Sequence, residues 1–255
     1  MITPFSLPSN PTVQIQLREA TVADAIDFAD VSDSHEEELT TMFLTRMQDA
    51  GTVRDPKKWT GEDRRFALYW YWLHTVKDHE VALSYDCRHC GNNHVYLQNM
   101  KELADHYTPI SGAAERETVW QGEKIMVRPL SGAGMEQLER MILGINVSED
   151  TARKKGQAMM MFERLALSVS FGDKEPDKTK RNETKRKKIM GMTLRQFKEF
   201  TDLVFGLLAE MKHGLDMEYD EGHMFLLMPA HKCPEGEGQT RSRYPFRNID
   251  YIPGL

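Results

Sequence analysis

The thiol pair in Cys87-Arg88-His89-Cys90-Gly91 constrains this chain more than any other stretch, because Cys233 is the one other cysteine in 255 residues. Two cysteines with two residues between them, followed by glycine, make a tight turn that presents both sulfurs to one cation. If Cys233, in His231-Lys232-Cys233-Pro234, joins them, more than half of the chain is held as one closed loop. A redox pair is expected at the start of a helix, where the dipole lowers a thiol pKa. Here the flanking segments Val81 to Tyr85 and His94 to Leu97 read as strands, which favours structural zinc. A tetrahedral site needs four ligands, and the sequence offers Cys87, Cys90 and Cys233 with either His94 or His231 as the fourth. The expected cofactor is therefore one structural zinc, with no neighbouring glutamate placed as a general base for a catalytic water.

Around this knuckle the pattern predicts an α+β fold: a mainly helical body, short β-hairpins and extended N- and C-terminal arms. Residues 1–19 read as an N-terminal arm and first strand, and 20–112 as a helical region carrying the knuckle. Residues 113–172 read as a β-hairpin plus helices, 173–192 as a charged linker or loop, and 193–255 as a helix and an extended tail closing onto the knuckle. Thr21 with Asp24, and Thr193 with Gln196, have the spacing of capping boxes that start helices. Ser148 to Asp150 reads as a capping turn into a helix from Ala152 to Ser170. Glu117 to Trp120, the turn Gln121-Gly122-Glu123, and Lys124 to Pro129 alternate as a β-hairpin.

A helix begins near Thr60, and its positions from Leu68 to His74 are all large or aromatic, more than one buried face needs. Tyr69, Trp70, Tyr71 and Trp72 are therefore candidates for contact with a second domain or another chain, together with Phe5 and Leu7 of the N-terminal arm. The basic run Lys178, Lys180, Arg181, Lys185, Arg186, Lys187 and Lys188 is a candidate charged contact. It holds no aromatic ring to stack on bases, and the whole chain carries a net charge of −6, so a nucleic-acid partner is disfavoured. No apolar run approaches the roughly 20 residues that cross a bilayer, and no membrane partner is expected. Dinucleotide fingerprint, phosphate loop, nucleophile elbow and metalloprotease helix are all missing, so no catalytic residue is nominated.

Phe5-Ser6-Leu7-Pro8-Ser9, Val13 to Arg18, Thr21-Val22-Ala23-Asp24, the knuckle through His94, and Gly214-Leu215-Asp216 leading to Cys233-Pro234 together resemble a known family. It is that of the small hub-associated baseplate proteins of contractile-tailed bacteriophages, the T4-type baseplate hub and assembly family. The resemblance runs nearly end to end, on short motifs. It implies a virion component of the tail baseplate, present in host cytoplasm during assembly, that binds other baseplate and hub proteins in a hetero-oligomer without enzymatic turnover. The alternatives are a tail-assembly chaperone that is not incorporated, or a zinc-containing regulator that binds nucleic acid. Members of the family often carry two thiol pairs. This chain has Gly236 where a partner for Cys233 would stand, so His231 or His94 would have to substitute.

Overall fold

The computed structural model describes residues 2–32, 34–49, 54–104, 106–145, 150–172, 177–220 and 223–254. Its first elements are β1 (Phe5–Leu7), β2 (Asn10–Ile15), α1 (Val22–Ala29), α2 (Glu36–Met47), α3 (Gly61–Thr75), β3 (Glu80–Asp86), β4 (Asn93–Asn99) and α4 (Lys101–Ala104). There follow β5 (Arg116–Trp120), β6 (Glu123–Val127), α5 (Gly132–Leu143), α6 (Asp150–Ser168), β7 (Val169–Phe171), α7 (Lys178–Met190) and α8 (Leu194–Glu210). The chain continues through β8 (Met217–Asp220), β9 (His223–Leu227), β10 (His231–Lys232), β11 (Gln239–Thr240) and β12 (Arg243–Phe246). The fold is mixed α+β, with eight α-helices and several small antiparallel sheets among the described residues. None of these helices is long and apolar enough to cross a membrane. Two compact units share the chain: Met1–Arg54, Glu62–Pro109 and His213–Leu255 form one, and Asp55–Gly61 with Ile110–Lys212 form the other.

The first unit is organised by the aromatic helix α3. Its rings point in every direction, so several separate segments are needed to cover them. The β1–β2 hairpin brings Phe5 to 5.6 Å from the Phe66 ring and 5.8 Å from Trp70, whose indole N–H donates to the Thr3 carbonyl at 2.7 Å. The turn of the same hairpin is fixed to the start of α3, where the Ser9 amide and hydroxyl both donate to Asp63, at 2.8 and 2.5 Å. From α1 and α2, Phe28 and Phe43 stack edge to face at 5.5 Å, and Phe43 meets Tyr71 at 4.8 Å. Tyr251, near the C-terminus, lies 6.0 Å from Tyr69 and 5.8 Å from Trp72.

Burial within the chain thus accounts for Phe5, Leu7, Tyr69 and Tyr71, and leaves Trp70 and Trp72 half-buried. The N-terminal segment expected as an extended arm is a hairpin folded onto α3, because Ile2, Phe5 and Leu7 find an apolar seat there. The C-terminal tail also folds back: β12 completes the β12-β9-β8 sheet, and a 3-10 turn, Asn248–Tyr251, follows it. Fully buried Arg64 pairs with Glu37 at 3.0 Å and donates to the Thr41 hydroxyl at 2.8 Å, which fastens α3 to α2. Removing one partner of such a buried pair costs more than the pair contributes.

In the second unit, β5, β6 and β7 form an antiparallel sheet. Its Ile125, Val127 and Phe171 join Phe162, Leu165 and Phe200 of α6 and α8 in a continuous apolar cluster. Each such side chain taken from water contributes about 1.5–3 kcal/mol. The Thr193–Gln196 capping box starts α8 as the sequence indicates. The charged segment expected as a linker is instead the helix α7. Asp177 caps it through the Thr179 and Lys180 amides, Lys and Arg are good helix formers, and Ile189 is buried at its end. Residues 173–176 of that expected linker, and Ser148 and Glu149 of the expected capping turn, lie outside the described residues.

Candidate metal centre

Two hairpins of the first unit end in loops of the same design. The β3–β4 hairpin closes at the pair Asp86–Asn93, and the Cys87 amide donates to the Asn92 carbonyl at 2.9 Å. The β10–β11 hairpin closes at Lys232–Gln239, and the Cys233 amide donates to the Gly238 carbonyl at 2.8 Å. Both loops therefore start on a cysteine and are shut by a hydrogen bond across five positions. Gly91 takes φ +78°, a left-handed conformation that a side chain resists, so the glycine after Cys90 is what lets the first loop turn. In the second loop Gly236 occupies the position that Cys90 holds in the first.

The loops meet through side chains. The His89 Nε2–H donates to the Gln239 carbonyl at 2.9 Å, and the Asn92 amide donates to Glu235 at 2.5 Å. Sequence reasoning missed His89, Asn92, Glu235 and Gly238. The one signal was Gly91 in the first loop and Gly236 and Gly238 in the second, which mark tight loops but not their contact.

Cys87, Cys90, His94 and Cys233 offer one ligand atom each, all within 4.8 Å of one another. The His94 Nε2 lies 3.0 Å from the Cys90 sulfur and 4.0 Å from the Cys233 sulfur. A tetrahedral zinc sets such ligand atoms about 3.5–3.8 Å apart, a spacing the observed distances bracket, so sub-ångström side-chain shifts would seat the ion. Cys87 and Cys233 are buried, and the three cysteines form no disulfide. Backbone N–H groups of Cys90 and His89 aimed at the Cys87 sulfur lower its pKa to about 7. The Asn92 N–H pulls Cys90 the same way, but burial and the Cys233 and Cys87 sulfurs outweigh it and raise that thiol to about 11. The proton this leaves on Cys90 is one that a bound metal would displace.

His231, the other candidate for the fourth ligand, is outside the cluster. The β10 register places it opposite Thr240, and its ring lies flat on Tyr96, 3.8 Å away and 5° from parallel, with Tyr85 edge-on at 5.0 Å. It is a packing residue of the wall beside the ligands. The basic run lies in the second unit, and three of its seven residues are engaged in internal contacts. Lys185 donates to the Val169 carbonyl at 3.1 Å, Arg186 pairs with Glu163, and Lys188 pairs with Glu123 and lies 4.5 Å over the Phe171 ring. Lys180, Arg181 and Lys187 are exposed, while the Lys178 side chain lies outside the described ones.

No protein-family model, curated protein or solved structure matches this chain. Fold and site together define its class: an α+β protein in which two hairpin loops converge on a cluster of three cysteines and one histidine able to hold a metal ion.

Proposed function

We propose that Cys87, Cys90, His94 and Cys233 bind one structural zinc, and that this centre holds the two loops rigid for the binding of a macromolecular partner. The observation that carries the reading is the four-ligand cluster itself. Three thiolates and an imidazole suit zinc, and four protein ligands leave no open position for a reacting water. The zinc is thus assigned to architecture, and the protein to binding rather than catalysis. Elemental analysis of the purified chain tests the site: one zinc per chain is expected, and a folded protein that takes up no zinc would remove it.

The resemblance of the opening segment and of both loops to baseplate hub proteins supports a subunit of a contractile-tail baseplate that binds neighbouring tail proteins. Half-buried Trp70 and Trp72 are the aromatic residues of α3 with surface to offer such a neighbour. A second reading, a zinc-containing regulator that binds nucleic acid, draws on the same metal cluster and on exposed Lys180, Arg181 and Lys187. Mass spectrometry of purified tails separates the two. Recovery at a fixed copy number supports the subunit. Absence from particles, with DNA retained by the protein at physiological salt, supports the regulator.

A further inference from the structure

The second unit contains a recess of about 340 Å³ between β7, the end of β6 and one face of α7. Arg128, Arg181 and Lys185 line it, with the polar side chains of Ser170 and Asn182 between them, and among its described lining residues there is no carboxylate. Arg128 reaches it from the sheet and pairs at the surface with Glu115 at 2.8 Å. Arg181, Asn182 and Lys185 come from successive turns of α7: Lys185 is four residues from Arg181 and three from Asn182, the spacings at which helical side chains are neighbours. Half-buried Leu167 supplies an apolar wall.

Arg128 already has Glu115 as a partner, but Arg181 and Lys185 face the recess with no carboxylate among its described lining residues, which favours an anion that joins them there. Burial lowers the Lys185 pKa to about 8, with neighbouring Arg186 and Arg181 acting the same way against the opposing pull of Glu163. Glu163 is itself bonded to Arg186. We propose that this recess binds the phosphate group of a small phosphorylated molecule, held by Arg128, Arg181 and Lys185 with Ser170 and Asn182 as further hydrogen-bond partners. A phosphate dianion has enough acceptor oxygens to engage two guanidinium groups and an ammonium at once. The recess is larger than a phosphate needs, which leaves room for a small organic body against Leu167. Nucleic acid fits less well, because backbone binding needs a track of cations, and Arg186 and Lys188 are turned to Glu163 and Glu123.

The site is independent of the metal centre, and calorimetric titration of the full-length protein with phenyl phosphate tests it. Binding with a Kd of about 1 mM or tighter is expected, competed by inorganic phosphate and absent for phenol. Arg181→Gln alters an exposed side chain and should weaken binding about tenfold or more at an unchanged melting temperature; Arg128→Gln should act likewise from the opposite wall. No binding at about 10 mM phenyl phosphate would overturn the proposal. So would an Arg181→Gln protein that binds as well as the wild type. A short DNA duplex that binds through Arg181 while phenyl phosphate does not would replace the small molecule with nucleic acid.

Discussion

His89 rests against Gly238 so closely that a Cβ at that glycine would overlap the imidazole. The contact joins the two cysteine loops, and the His89 Nε2–H bond to the Gln239 carbonyl depends on it. Gly238→Ala should push the ring outward and cost about 1 kcal/mol, the usual net value of one hydrogen bond. His89→Ala should cost the same. Because both changes remove one interaction, the double variant should be no less stable than either single one. Chemical denaturation of the four proteins measures this, and additive losses would mean that His89 and Gly238 act separately.

His94 completes the ligand set by taking the place of a fourth thiol. His94→Ala should lower zinc affinity by more than the roughly 10–100-fold that outer-shell changes cost. Gly236 has open space where a Cβ would go and sits in its loop as Cys90 does in the other. Gly236→Cys in the His94→Ala background should therefore restore one zinc per chain, read by chelator competition. Failure of the rescue, with the protein folded, would show that the two loops are not equivalent around the ion.

Acid should reach the first unit through Asp24. This buried carboxylate is held well below its ordinary value by the Arg18 side chain first, then by the Thr21 amide and Arg46, against the cost of burial. A depressed carboxylate adds stability that is complete above its unfolded pKa of about 3.9 and is lost as pH falls below it. Asp24→Asn should cost about 1–2 kcal/mol at pH 7, and its difference from the wild type should shrink as pH falls from about 4 toward 2. Urea denaturation at several pH values supplies the measurement.

Two buried tyrosines should answer differently to loss of the hydroxyl. The Tyr69 hydroxyl donates to the Met100 carbonyl, whereas the Tyr251 hydroxyl is buried without a hydrogen-bond partner among the described residues. Tyr69→Phe should destabilise the protein by about 1–2 kcal/mol, and Tyr251→Phe should be neutral or stabilising. Thermal unfolding of both variants checks the ranking.

Local chemistry was the part of this fold that could be read from sequence. The Thr21–Asp24 and Thr193–Gln196 boxes and the hairpin around Gln121 and Gly122 each depend on residues a few positions apart, and each is present. The three cysteines were also legible as ligands, because their chemistry leaves few other roles. The choice between His94 and His231 was not, since it depends on strand register and on Tyr96 claiming one imidazole face. The helix α7 was hidden because its stabilising partners, Glu123 and Glu163, are distant in sequence, and apolar periodicity cannot reveal a helix held mostly by charge. The folded N-terminal hairpin was hidden for a similar reason: its prolines argue for extension, while its seat on α3 is a long-range contact.

Because Cys233 stands in the β10–β11 loop, late in the sequence, the cluster with Cys87, Cys90 and His94 cannot be assembled until translation has passed that residue. All of the second unit is synthesised before then. A polypeptide terminated between His94 and Cys233 keeps two thiols and an imidazole but lacks the fourth ligand, so tight zinc retention marks a molecule whose synthesis reached the last segment of the first unit.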